Sequence, residues 1–191
     1  SMSASVSSDY NGADISCNGL SDGEITLTSN GGNGIDYYNI NGLILSGPNN
    51  VIQGGWPAGA YFIEAYDLNG CDASDSVVVT EPNSIISNIT ITNVSCNGIS
   101  DGVIAVNPSG GTNTGLYNVD WFNVGIVPST YHGYSTDPVY PLDTFSNGQV
   151  IITDDNGCTD TSFVAITQPL NSLSVTVSST SPTCNASDPG P

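Results

Sequence analysis

The side chains of this chain that could do chemistry are carboxylates and thiols: it carries 18 Asp and Glu, five Cys, one His, and no Lys or Arg. Carboxylates can hold a hard cation, since calcium takes six to eight oxygens from carboxylates, carbonyls and water. Asp22 sits in "CNGLSDGEI", residues 17–25, and Asp101 in "CNGISDGVI", residues 96–104, a phrase that keeps seven of the nine letters. Asp67 opens "DLNGC" and Asp154 and Asp155 open "DDNGC". If the phrases of each pair met in space, Asp22 would approach Asp67, and Asp101 would approach Asp154 or Asp155. Two or three carboxylates plus backbone carbonyls would then suit calcium; apart from that, no cofactor is expected. The competing reading makes "SDG" a tight turn, with Gly supplying positive φ and Asp accepting from nearby backbone. No D-x-D-x-D-G calcium loop is present.

Catalysis has less to draw on. His132 is the sole imidazole. No Ser or Cys sits in a recognisable nucleophile elbow, and no spacing selects a glycosidase carboxylate pair. The expectation is that the chain is not an enzyme. Aromatic residues gather in "VPSTYHGYSTDPVYPL", residues 127–142. Tyr131, His132, Tyr134 and Tyr140 could stack on sugar rings while Asp137 accepts hydroxyl hydrogen bonds, because loops on a rigid scaffold often carry binding. Equally, the segment could be a long loop packed by its own rings and stiffened by Pro128, Pro138 and Pro141. Trp56 in "GGWPAG" invites the same pair of readings.

Composition excludes several classes of function. Charged residues make up 9% of the chain, all negative, against about 25% of mixed sign in ordinary globular proteins. Nucleic-acid binding needs cations to neutralise phosphates, and anionic membrane surfaces would repel this chain. Phosphoryl transfer lacks its cationic clamps. Lys–Asn isopeptide cross-links cannot form without Lys, and trypsin finds no cleavage site. No apolar run approaches the ~18 residues of a membrane-spanning helix. No basic segment followed by an apolar one opens the chain, so no signal peptide is read there. The chain reads as a piece of a longer, exported polypeptide.

The elements that must position these residues follow from an internal repeat. "CNGxSDG" recurs 79 residues on, while "DxNGC" (Asp67–Cys71, Asp154–Cys158) and the strand ends "VVVTEP" (Val77–Pro82) and "VAITQP" (Val164–Pro169) recur 87 residues on. Copy two is therefore longer, with the insertion placed between Asn118 and Asn147. The expected domains are residues 1–82, residues 83–169 with an insertion at about 127–142, and residues 170–191. The last would be the first strand of a third copy, Ser172–Ser178, followed by "CNASDPG". Pro82 and Pro169 end strands and stiffen short joints, which favours a semi-rigid rod.

Within each copy, apolar residues alternate with polar ones between Gly, Asn and Pro turns, as in Ile25/Leu27, Ile104/Val106 and Tyr117/Val119/Trp121. Such period-two runs predict an all-β fold of tandem immunoglobulin-like antiparallel β-sandwich domains. Trp121 falls at the third-strand position where such domains often bury a Trp, and the repeat spacing sets Gly42 opposite it. "DLNG" and "DDNG" predict hairpin turns of the type I′ class.

Exported chains form disulfides, and two pairings fit the spacing. Cys17–Cys71 and Cys96–Cys158 would staple each domain, leaving Cys184 a partner outside the chain. This requires an even number of strands between the cysteines of each pair, so that both lie at one end of the sandwich. Alternatively Cys71–Cys96 and Cys158–Cys184 would join neighbouring domains. Without a C-x-x-C, zinc is not expected. Asn-x-Ser/Thr triplets at Asn88, Asn93 and Asn185 could accept glycans in a secreted chain.

"VSCNGISDGVIAV…GG…YNVDWF…GQVIITDDNGCTDTSFVAITQP" resembles the SprB-type repeat of Bacteroidetes cell-surface proteins. That repeat runs C-x-G-x-x-D-G-x-I, G-G, an aromatic strand, D-x-N-G-C and a closing Q-P. The resemblance covers roughly residues 1–169. It implies a long surface or secreted polypeptide, including gliding adhesins, and no enzymatic site. The expected function is a non-catalytic structural segment of an extracellular adhesin, stalk or fibre. Its partners would be neighbouring repeats or identical subunits, with no nucleic acid and no membrane insertion. The alternatives are a glycan- or surface-binding module using the aromatic insertion, and a filament subunit assembled by strand exchange through Ser172–Ser178.

Overall fold

The computed structural model describes residues 1–46, 51–122, 130–134 and 144–180. The first copy supplies β1 (Met2–Val6), β2 (Gly23–Ser29), β3 (Ile35–Ile40), β4 (Leu43–Ser46), β5 (Val51–Trp56), β6 (Gly59–Asp67) and β7 (Asp72–Val79). They form two antiparallel sheets, in the orders β1-β2-β5 and β4-β3-β6-β7. The alternation seen in the sequence explains why. Ile25 and Leu27 of β2 face inward and are fully buried, as are Tyr38 and Ile40 of β3 and Ile63 of β6. A pleated strand sends successive side chains to opposite faces, so each run supplies one wall of a core. Ile15, from the loop before β2, closes that core.

The second copy supplies β8 (Ile89–Thr92), β9 (Val103–Val106), β10 (Asn118–Phe122), β11 (Thr130–Tyr134), β12 (Phe145–Thr153) and β13 (Thr159–Ile166). Here β8 pairs with β9, and the second sheet runs β11-β10-β12-β13. Its core of Val94, Ile104, Val119, Val150, Ile152, Val164 and Ile166 is separate from the first. The chain is thus an all-β tandem of antiparallel two-sheet units. Residues 135–143, between β11 and β12, lie outside the described residues.

Both copies close their open edge with a carboxylate. Asp75 of β7 accepts the N–H of Ala4 in β1 at 2.9 Å. Asp160 of β13 accepts the hydroxyl of Ser87, just before β8. First and last strands lie side by side but belong to different sheets, so side chains make the connection that a backbone ladder would otherwise make.

Three details depart from the sequence reading. Val119 pairs with Ile152 as Tyr38 pairs with Ala65, so Trp121 corresponds to Ile40, not Gly42. The cause is two extra residues between Thr112 and Val119 relative to the span from Asn33 to Tyr38, so the length difference does not lie wholly after Asn118. Part of the expected insertion loop is strand: β11 pairs with β10 along Thr130–Tyr134. Residues 172–180 form no strand, and Leu173, Val175 and Val177 are at least 80% exposed. A strand needs a neighbour for its N–H and C=O groups, and this segment has none among the described residues.

Gly111 tests the packing of the second unit. Its φ is +65°, and a Cβ there would lie 2.5 Å from Oδ2 of Asp154 and 2.9 Å from Cγ1 of Ile85. Gly111→Ala is expected to lower stability in chemical denaturation by about 1–3 kcal/mol. Gly115→Ala, which meets open space, should leave it unchanged.

Candidate functional site

The recurring phrases meet in pairs at the two ends of each unit. At one end stands the "DxNGC" turn. Asp67 N–H donates to the Cys71 carbonyl at 2.9 Å, and Gly70 N–H to the Asp67 carbonyl at 2.9 Å. Gly70 has φ +82°, and Asn69 is not among the residues with positive φ. Asp154–Cys158 repeats this, with Gly157 at φ +83°. A type I′ turn needs positive φ at both central residues. The observed connection is instead a three-residue loop that ends in a left-handed Gly, the bulged alternative.

The Asp of this turn is its keystone. Asp67 accepts the N–H groups of Asn69 (2.9 Å) and Cys71 (2.8 Å) within the turn, and of Asn33 (3.1 Å) from the β2–β3 loop. Asp154 accepts Asn156 (3.0 Å), Cys158 (2.9 Å) and Thr112 (2.8 Å) in the same way. Both aspartates are buried. The Cys71 and Asn33 N–H groups hold the Asp67 carboxyl below the usual carboxylate range. The "GG" phrase belongs to this end as well, because Gly32 lets its loop approach the Asp67 carboxylate.

At the other end "CNG" meets "T-x-P". Asn18 donates to the Pro82 carbonyl at 3.0 Å and Gly19 N–H to Glu81 at 2.6 Å. In the second unit Asn97 donates to the Pro169 carbonyl at 3.1 Å and Gly98 N–H to Gln168 at 2.9 Å. The Asp of "SDG" closes the same loop, Asp22 accepting Ser16 N–H at 3.2 Å and Asp101 accepting Ser95 N–H at 2.9 Å. Hydrogen bonds from Ser95 hold Asp101 below the usual carboxylate range.

The ends of neighbouring units meet in a covalent joint. Cys17 of the first copy is bonded to Cys158 of the second, with Cα atoms 5.6 Å apart. Asn156, in the same turn as Cys158, donates to the carbonyls of Tyr10 and Ser16 (both 3.1 Å) and accepts from Asn11 at 2.6 Å. The segment after Pro82 runs across the joint, where the Asn83 carbonyl accepts Gly111 N–H at 2.7 Å and Ile86 bridges to Ser109.

This corrects both pairings expected from spacing. Five strands, β2 to β6, lie between Cys17 and Cys71. The number is odd, so the two cysteines stand at opposite ends of the unit. Cys96, beside Gln168 and Pro169, is likewise separated from Cys158 by the length of β13. Cys71 and Cys96 are free and exposed. The disulfide does join neighbours, but through partners that neither pairing named. Cys184 lies outside the described residues.

The carboxylates suggested as calcium ligands are not brought together as expected. The strand parity that separates Cys17 from Cys71 also separates Asp22 from Asp67, and Asp101, in the loop held to Gln168 and Pro169, stands the length of β13 away from Asp154. Asp155 instead accepts the hydroxyl and N–H of Thr114 at 2.7 and 2.8 Å, which hold it below the usual range. Among the described residues no three His, Cys, Asp or Glu side chains gather as a metal site would require.

Of the aromatic candidates, Tyr131, His132 and Tyr134 fall in β11, where the register sets Tyr131 opposite Trp121 and His132 opposite Asp120. Asp137 and Tyr140 lie outside the described residues. Trp56 packs edge-to-face on Tyr61, with ring centroids 4.9 Å apart, against the first core. Two glycan triplets use their Asn side chains internally. Asn88 donates to the Asn107 carbonyl at 3.1 Å, and Asn93 accepts Thr167 N–H at 2.9 Å.

The repeat phrases are legible in the sequence, but their mating is not. The signal that could have found the joint is strand parity, since five strands separate Cys17 from Cys71.

Comparison with known proteins agrees with the repeat reading. The model of the SprB repeat matches residues 10–42 and 88–124, one segment in each copy. The resemblance drawn from the cysteine phrases is thus borne out at the level of the repeat. No curated protein matches the chain. Among solved structures, the chain is similar to fibronectin(III)-like modules of Clostridium thermocellum CbhA. That match has 15% identity and a TM-score of 0.29, covering 87% of this chain and 95% of that one. Among the described residues no helix is long and apolar enough to cross a membrane.

Asp67 gives a prediction with a defined sign. A carboxyl held below its ordinary value contributes stability that is present above about pH 4 and lost as pH falls through its lower folded value. Asp75, Asp101 and Asp155 are shifted the same way. The thermal midpoint should therefore hold steady from pH 7 to about pH 5 and drop below about pH 4. Asp67→Asn should lower the midpoint at pH 7 and make the acid drop shallower. Equal slopes for the variant and the parent would refute the role given to Asp67.

Proposed function

We propose that this chain is a spacer segment of a long extracellular polypeptide, a stalk, adhesin or surface fibre, and that it holds distance without doing catalysis. The observation that carries the reading is the closed joint. Two sandwich units are connected by a short Pro-led segment, by the Asn156 hydrogen bonds and by the Cys17–Cys158 disulfide. Each element removes freedom between the units, which a binding module on a flexible tether would not need. The match of both copies to the SprB repeat supports an extracellular setting, as does the use of a disulfide. With no Lys or Arg in the chain, trypsin-like proteases have no purchase on it. Its uniform negative charge limits self-collapse unless divalent cations bridge it.

A binding role for Tyr131, His132, Tyr134, Asp137 and Tyr140 is the rival reading, with glycans as ligand. Strand exchange is a third reading, favoured by the exposure of the alternating Leu173, Val175 and Val177.

The joint is the point to test. Reduction should leave the far-UV circular dichroism of the strands unchanged, because each unit has its own core. It should broaden the size distribution seen by small-angle X-ray scattering, with or without EDTA. Scattering that is identical before and after reduction would remove the joint as the source of stiffness. Glycan-array binding that vanished on deleting residues 128–141 would favour the rival.

A further inference from the structure

The two free cysteines are the unmated halves of a bond that this chain already makes once. Cys158 occupies a "DxNGC" turn and Cys17 a "CNG" loop. Cys71 occupies the other "DxNGC" turn and Cys96 the other "CNG" loop, and both are exposed.

Their settings match those of the bonded pair in detail. Cys71 N–H donates to Asp67 at 2.8 Å as Cys158 N–H donates to Asp154 at 2.9 Å. The loop glycines after the two "CNG" cysteines have φ of +79° at Gly19 and +83° at Gly98. Both loops are tied to the closing strand through Asn18 to Pro82 and Asn97 to Pro169. Each half is therefore held in the conformation that the bonded joint uses, and the two halves stand at opposite poles of the molecule.

We infer that Cys96 of one molecule and Cys71 of a second copy form a head-to-tail disulfide equivalent to Cys17–Cys158. The inference rests on the spacer reading and specifies its partner. The same surface never meets itself in such a contact, so it is heterologous, and repetition yields an open filament rather than a closed dimer. The partner's Asn69 takes the place of Asn156 and reaches the carbonyl of Ser95, the counterpart of Ser16. The Tyr10–Ala13 turn, which supplies two further contacts to Asn156, has no counterpart before Cys96, so the new joint has fewer hydrogen bonds than the internal one.

The chemistry balances with a low-molecular-weight disulfide as oxidant. The Cys96 thiolate attacks oxidised glutathione, forms a mixed disulfide and releases one glutathione thiol. The Cys71 thiolate of the second molecule then attacks Cys96 Sγ and releases the other.

The test uses the 191-residue chain with Cys184→Ser throughout, since Cys184 opens "CNASDPG", an echo of the "CNG" phrases, and would add a third thiol. Incubation in a glutathione redox buffer should give a ladder on non-reducing gels. Peptide mapping of mixed isotope-labelled and unlabelled chains should identify Cys71–Cys96 as the intermolecular link. Cys71→Ser alone and Cys96→Ser alone should each lose the ladder, while mixing these two variants should restore a single dimer. Predominant Cys71–Cys71 or Cys96–Cys96 links, an intramolecular Cys71–Cys96 link, or no dimer from the mixture while Cys17–Cys158 forms would overturn the proposal. The scattering experiment on the reduced joint does not depend on this result, so failure of the filament and failure of the spacer reading are distinguishable.

Discussion

A buried carboxylate in a chain without Lys or Arg has no side-chain cation to meet it except one His. Asp67 and Asp154 are both buried, and the rest of each unit is arranged around that condition. An unpaired buried charge is costly, so its partners must be N–H groups. Three converge on each aspartate, two from its own turn and one from the loop across the sandwich. This fixes the turn as a bulged loop, places a cysteine at the head of the last strand, and requires a glycine where the opposite loop comes close. The "GG" and "DxNGC" phrases recur together because each is half of one hydrogen-bonded cluster.

The same economy appears elsewhere in the molecule. Carboxylates close the loops at the opposite pole and tie first strand to last at the open edge. Asp14 accepts both the N–H and the hydroxyl of Thr80 at 2.8 and 2.6 Å. Acidic residues that look like a surface charge excess when counted are, at many positions, the acceptors that end strands and shape turns. Their demand for donors is met by backbone and hydroxyl groups, of which a Gly-, Ser-, Thr- and Asn-rich chain has many.

Period-two alternation locates the strands from the residues alone, because one buried face per sheet forces it. Fixed spacings locate the copies, because each copy is one folding unit. Three features are not legible in this way, each for a physical reason. The disulfide depends on strand parity, and a short strand such as Leu43–Ser46 changes parity without leaving a strong pattern. Repeat spacing sets Trp121 opposite the wrong residue because two residues added to a loop shift a strand against its counterpart without altering its alternation. The carboxylates read as ligands for calcium look alike in composition whether they meet a metal or a turn's own N–H groups, and only the path of the backbone separates the two.

The Cys17–Cys158 bond also decides where tension would travel. The backbone between these residues would stretch to about 480 Å if pulled straight, yet their Cα atoms are 5.6 Å apart. A pull applied at the two ends of the chain crosses at the sulfur atoms and bypasses the loop they close, a sequence separation of 141. The load falls on β1 and β13, the strands outside the crossing. The strands from β2 to β12 lie in a slack loop, so most of both cores sits off the line of force.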